Sequence, residues 1–191
     1  MIMIGLFVFK DFFLLKKIYL FKDIGSDSIN FTYPRLIHLS NYLRTEGLPG
    51  WSFNQGVGQS IFPFMLLDNF FGLLLLFPKN CIAFAVFFVE FGKIILAGLF
   101  FYLYLKMLSF SRFSSIIGGL LFSYSGYMVL GGCWSIFSTE VVCMALFLYS
   151  FERFFIKGAW YLLPISVMLL SIFQPFYLYL FAIFFSVYTV F

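Results

Sequence analysis

The sequence predicts an all-α bundle of transmembrane helices, on two observations. Hydrophobic residues make up 63% of the 191 residues and charged residues only 10%, with a mean hydropathy of +1.02. A soluble domain carries roughly a quarter charged residues, so this chain lacks the polar surface that water requires. Its apolar residues also fall in long runs parted by short charged or Gly/Pro-bearing joints, as helices crossing a bilayer demand. The net charge of +4 fits Lys and Arg gathered in cytoplasmic loops and gives no reason to expect a nucleic-acid partner. Cys81, Cys133 and Cys143 form no CxxC or CxxH pair, so they read as small apolar membrane residues rather than metal or redox groups.

Residues 1–20 read as the end of a first transmembrane helix. The run Met1 to Phe9 is about half the ~20 residues a span needs; it meets Lys10 and Asp11, then resumes through Leu15. Lys16, Lys17 and Lys22 are placed to snorkel to the interface. No basic region precedes the run and no A-x-A site follows it, which argues against a cleaved signal peptide. The apolar character of both ends reads as a fragment, or as a mis-called start with a truncated C-terminus.

The segment 22–60 is the one long polar stretch. It holds Asp23, Asp27 and Glu46 of the eight acids, the sole His38, and Trp51. Within it, Pro34 to Arg44 places Leu36, Leu39, Tyr42 and Leu43 at helical spacing behind a proline, predicting a short amphipathic helix on the membrane surface. Gly47, Pro49 and Gly50 end it. Residues 61–77 are apolar but interrupted by Pro63, Asp68, Asn69 and Gly72. An acid such as Asp68 at mid-depth is costly, which favours a re-entrant or juxtamembrane element over a full span.

Residues 82–105 are long enough to cross and contain Glu90 and Lys93, which at i and i+3 share a helix face and pair; binding a charged headgroup is the other reading. Residues 114–132 are rich in Gly and Ser, so neighbouring helices approach closely there. Residues 136–151, with Glu140 near their start, form a further span, and 159–173 and 176–191 two more, joined at Gln174-Pro175. Lys106 and Arg112 mark one loop and Arg153 and Lys157 another, two spans apart, so the positive-inside rule puts both in the cytoplasm. Charge does not decide the side of 22–60, whose three basic and three acidic residues balance.

Asp23 and Asp27, four apart where the first helix meets the interface, are the candidate chemical groups. Two carboxylates there suit a divalent cation, or one acts as general base on an acceptor hydroxyl; the competing reading makes Asp27 or Ser28 a helix N-cap. Walker A, Rossmann and H-E-x-x-H patterns are missing, which speaks against ATP-driven chemistry in this chain.

Five segments in register resemble the YfhO family of bacterial membrane proteins: D-I-G-S-D at Asp23–Asp27, Tyr33-Pro34, W-S-F-N-Q-G-V-G-Q at Trp51–Gln59, L-F-S-Y-S-G-Y-M at Leu121–Met128, and S-F-E-R-F at Ser150–Phe154. The resemblance implies a GT-C-like bundle in the bacterial plasma membrane, with short juxtamembrane helices in an extracytoplasmic loop 22–60. It implies a glycosyltransferase that takes a sugar from a polyprenyl-phosphate carrier and passes it to an envelope polymer, lipid or protein. The superfamily's essential first-loop acid falls on Asp23, with Asp27 the runner-up; the superfamily's signature is often two adjacent acids and these are four apart, so which one acts stays open. Arg35, Arg44 and Lys93 would meet the donor phosphate, Tyr33, Trp51, Asn54 and Gln55 the substrate. The alternatives are a transporter or flippase-like component, with Glu90, Lys93 and Glu140 lining a path, and a silent scaffold.

Overall fold

In the computed structural model, residues 1–22, 26–47, 50–54, 56–60, 69–132, 134–173 and 175–190 are described. The expectations on Asp23, Gln55, Asp68, Cys133 and Gln174 lie outside these residues. Among the described residues the fold is all-α, apart from one small hairpin.

The central element is α5, Lys79–Met107; the helices before it are α1 (Ile2–Val8), α2 (Lys10–Phe13), α3 (Tyr33–Thr45) and α4 (Asn69–Gly72). After it come α6 (Arg112–Ser123), α7 (Gly126–Gly131), α8 (Ser135–Lys157), α9 (Leu162–Phe173) and α10 (Pro175–Tyr188). Among the described residues, three stretches are long and apolar enough to cross a membrane: Lys79–Met107, Arg112–Gly131 and Ser135–Lys157. α5 is apolar on all sides and packs against α6 and α8, so it takes the middle of the bundle, as an all-round hydrophobic helix must.

Local chemistry sets the breaks. α2 stops at Phe13, Leu15 turns the chain with φ 56°, and Lys17 folds back 3.0 Å from Asp11. The Gly/Ser-rich run 114–132 divides in two at Tyr124. Ser111 caps α6 by accepting from Ser114 N, and Ser125 restarts the helix as α7 by accepting from Met128 N; a serine at the N-cap satisfies one of the free amides. α8 ends on Gly158 in the left-handed region, where glycine carries no Cβ penalty.

The small residues of α6 fulfil the packing they suggest. A Cβ on Gly119 would stand 2.9 Å from the Gly98 carbonyl oxygen of α5, and Ser115 and Ser123 are fully buried on the same helix. Absent a hydrophobic drive between helices in lipid, such close backbone contact supplies the attraction. Aromatic rings fill the rest: Phe9, Phe12, Phe13 and Tyr19 close on Phe87 and Phe91 of α5. At the far side Phe147 and Phe151 of α8 meet Phe185 of α10.

Candidate functional site

The polar segment before α5 folds onto one end of the bundle. A π-helical turn, Ser28–Thr32, leads into α3. α3 turns Leu36 and Leu39 inward, and Leu36 packs with Phe71, Leu74, Ile82 and Val86. Beyond α3, strands β1 (Trp51–Ser52) and β2 (Gln59–Ser60) form the hairpin. It is tied back to α3 by His38 Nε2 with Ser52 Oγ at 3.0 Å and by the Tyr42 hydroxyl donating to the Trp51 carbonyl at 3.3 Å. Gly58, at φ 107°, lets the chain pass directly under the Trp51 and Phe53 rings, where a Cβ would sit 2.7 and 3.0 Å from their atoms.

Beneath this cap lies a buried polar hub. Lys93 is fully buried and donates to Glu90 Oε1 at 2.8 Å, the Ser135 carbonyl at 3.0 Å and Ser138 Oγ at 3.3 Å. Its ammonium also stands 4.5 Å from the centre of the Phe71 ring and 5.7 Å from that of Phe70. The i, i+3 pair read from the sequence is thus formed, and it joins α5 to the start of α8 and to α4. Next to it a small cleft is lined by Tyr19, Ser28, Thr32, Tyr33, Gly132 and Ser135 among others. A Cβ on Gly132 would come 2.9 Å from the Tyr19 ring and 3.3 Å from Glu90 Oε2, so glycine is what lets the α7–α8 turn close over the pair.

The acids predicted for chemistry flank this cleft in sequence. Phe21 N donates to Ser28 Oγ at 2.8 Å, and Ser28 Oγ donates to the Phe21 carbonyl at 3.2 Å, so the two ends of the stretch that contains Asp23 and Asp27 are tied together. Asp27 is exposed and makes no capping hydrogen bond. Buried Ser28 is spent on Phe21, so neither residue acts as the expected cap.

The candidate phosphate groups do not converge. Arg35 and Arg44 are nine positions apart on α3, about 180° around the axis and ~13.5 Å along it. Arg35 is half-buried over the Phe31 ring, and burial lowers its guanidinium from its ordinary value. Arg44 reaches the Leu76 carbonyl at 3.4 Å. Lys93 is committed to Glu90, Ser135 and Ser138. Tyr33 lines the cleft, while Trp51 and Asn54 stand exposed on the hairpin, Asn54 N donating to Ser52 Oγ. Among the described residues, no three His, Cys, Asp or Glu side chains gather as a metal site.

Sequence reasoning passed over Tyr19, whose hydroxyl donates to the Val129 carbonyl at 2.8 Å, and the serines that receive Lys93. Ser135 and Ser138, which at i and i+3 share one helix face, were the available signal. It also passed over a groove of about 330 Å³ between α5, α8, α9 and the 70–73 segment, lined almost wholly by apolar atoms, with Phe70, Leu96, Phe100 and Leu146 among its walls. Nothing in a one-dimensional pattern marks which apolar faces stay apart.

Spanning helices around a buried ion pair, capped at one end by a polar segment, define a polytopic membrane protein. The model of the family described as bacterial membrane protein YfhO matches residues 1–191. The chain belongs to the YfhO family and is a bacterial membrane protein. Neither a curated protein nor a solved structure matches it.

Proposed function

We propose that this chain carries out sugar transfer outside the cytoplasm, from a polyprenyl-phosphate carrier to an envelope polymer, lipid or protein. Family membership is the first support, since the family is associated with glycosyltransferase-like membrane proteins. The observation that carries the reading is the apolar groove. It runs beside α5 and α8, and its wall residue Phe70 also stands beside the Lys93 ammonium under the polar cap. A groove of that size and lining accepts an isoprenoid tail, as ligand sites of several hundred Å³ commonly do, and directs its phosphate towards the cap.

There Asp23 or Asp27 takes the proton of the acceptor hydroxyl, or orients it, as the sugar–phosphate bond opens. Arg35 or Arg44 meets the phosphate singly, since their spacing forbids a joint grip; Tyr33, Trp51, Asn54 and Gln55 bind the substrate. A divalent cation, if the reaction uses one, falls to Asp23 and Asp27. Lys93 is better placed as the anchor of the site than as a phosphate ligand. The test is transfer of labelled sugar by the full-length protein in vesicles supplied with a polyprenyl-phosphate sugar. Asp23→Asn with Asp27→Asn abolishes transfer under this reading; transfer at the wild-type rate refutes it.

A further inference from the structure

The sole histidine of the chain lies in the polar cap and has no part in the proposed reaction. His38 stands on α3 two positions after Leu36, about 200° around the axis. Leu36 and Leu39 are buried towards the bundle, so His38 faces away from it. Tyr42, one turn on, lies beside it with ring centres 6.2 Å apart. Both side chains reach the hairpin.

The hairpin has little of its own to hold it in place. Its ladder pairs Trp51 with Ser60 and Ser52 with Gln59, and an isolated two-stranded ribbon is marginal in water. The two ties to α3 differ in weight. Tyr42 donates to the Trp51 carbonyl at 3.3 Å in an exposed position, where water competes. His38 Nε2 meets Ser52 Oγ at 3.0 Å, and Ser52 is 3% exposed, so losing that bond leaves a buried hydroxyl short of a partner. The same oxygen accepts from the Asn54 amide at 3.2 Å. One bond from His38 thus fixes the backbone at Trp51 and at Asn54 together. Strand alternation turns the Trp51 ring away from Ser52, and the residue stands 55% exposed. An indole face near a side-chain amide suits a sugar: the C–H face of the sugar packs on the ring, and its hydroxyls exchange hydrogen bonds with the amide. The one sugar that the proposed reaction guarantees is the donor's. We propose that His38 is a positioning residue, which through Ser52 sets Trp51 and Asn54 for the sugar ring of the lipid-linked donor. The inference rests on the sugar-transfer reading, but its latch is measured apart from it.

Kinetics of the full-length protein in vesicles test the role. His38→Phe keeps a ring beside Tyr42 and removes the bond, whereas His38→Gln keeps a polar atom at the reach of Nε2. With a polyprenyl-phosphate sugar as donor, His38→Phe is expected to raise KM at least fivefold with kcat within twofold of wild type, as for binding lost equally from ground and transition states. His38→Gln is expected to return KM to within twofold. Polyprenyl phosphate without a sugar competes through its tail and phosphate alone, so its Ki is expected to stay the same in His38→Phe, which a general loss of structure would not allow. A fall in kcat at unchanged KM, a Ki that rises with KM, or wild-type kinetics in His38→Phe overturns the proposal. Ser52→Ala removes the bond from the hairpin side and is expected to reproduce the change in KM; it decides the matter if His38→Phe does not fold. A nitroxide on Val57→Cys, a fully exposed position, reads the motion of the hairpin without turnover once the native cysteines are changed to Ala. Faster motion in His38→Phe than in His38→Gln is expected, and equal motion overturns the latch whatever the kinetics. No transfer by the wild-type chain, with the nitroxide response intact, refutes sugar transfer and the donor role together and leaves the latch standing.

Discussion

Lys93 Nζ lies 2.8 Å from Glu90 Oε1 in a pocket where both side chains are excluded from solvent. The pair does more than neutralise itself, because the same ammonium holds the first carbonyl of α8 at Ser135. Removing one partner strands the other, a loss of about 3–5 kcal/mol for buried pairs, whereas replacing both with apolar residues of like volume is often neutral. Lys93→Met is therefore expected to lower thermal stability in detergent sharply, and Glu90→Leu with Lys93→Met to recover most of it. A double variant as unstable as the single one would show that the contacts to Ser135 and Ser138 matter more than the pair.

Gly132→Ala is expected to destabilise by about 1–3 kcal/mol, the cost of overpacking a filled interior. The added methyl meets the Tyr19 ring at 2.9 Å and Glu90 Oε2 at 3.3 Å. Tyr19→Ala in the same chain removes the first clash, so the two substitutions together are predicted to be less than additive when unfolding is followed by heat.

Between α8 and α9, Ser150 and Ser166 share a hydrogen bond of 2.8 Å, both fully buried. Interhelical hydrogen bonds in membranes average about 0.6 kcal/mol and reach about 1.7. A double-mutant cycle with Ser150→Ala and Ser166→Ala is expected to return a coupling in that range, so this contact adjusts packing rather than holding the bundle.

Filling the apolar groove separates binding from chemistry. Leu146→Trp places an indole in the space that Leu146, Leu96 and Phe100 border. The expected result in a transfer assay is a KM for the lipid-linked donor raised about tenfold, with kcat little changed, since binding lost equally from the ground and transition states acts on KM alone.

Much of the fold was legible because hydrocarbon imposes a simple rule: each span must satisfy its own backbone. Composition and run length thus gave the bundle, and i, i+3 spacing gave the Glu90–Lys93 pair. The division of 114–132 at Ser125 was harder, since serine caps a helix or sits inside one depending on its neighbours. The site was legible only in part. Arg35 and Arg44 look like a team in sequence, yet a 13-residue helix turns them to opposite sides. Lys93 looks like a phosphate ligand until Ser135 and Ser138, over forty residues later, arrive beside it.

Sugar transfer by this chain requires that the polar cap from 22 to 60 face the outside of the cell, where a lipid-borne phosphate meets it. Single cysteines at Val57, Ser135 and Ser109, introduced after Cys81, Cys133 and Cys143 are changed to Ala, report the side on which each position lies. Val57 is fully exposed and serves better than Ser52, which is 3% exposed against His38. Labelling of intact cells by a membrane-impermeant maleimide is predicted at Val57→Cys and Ser135→Cys, and at Ser109→Cys only after the cells are opened. Protection of Val57→Cys in intact cells, with labelling of Ser109→Cys, would put the cap in the cytoplasm and contradict the proposed function.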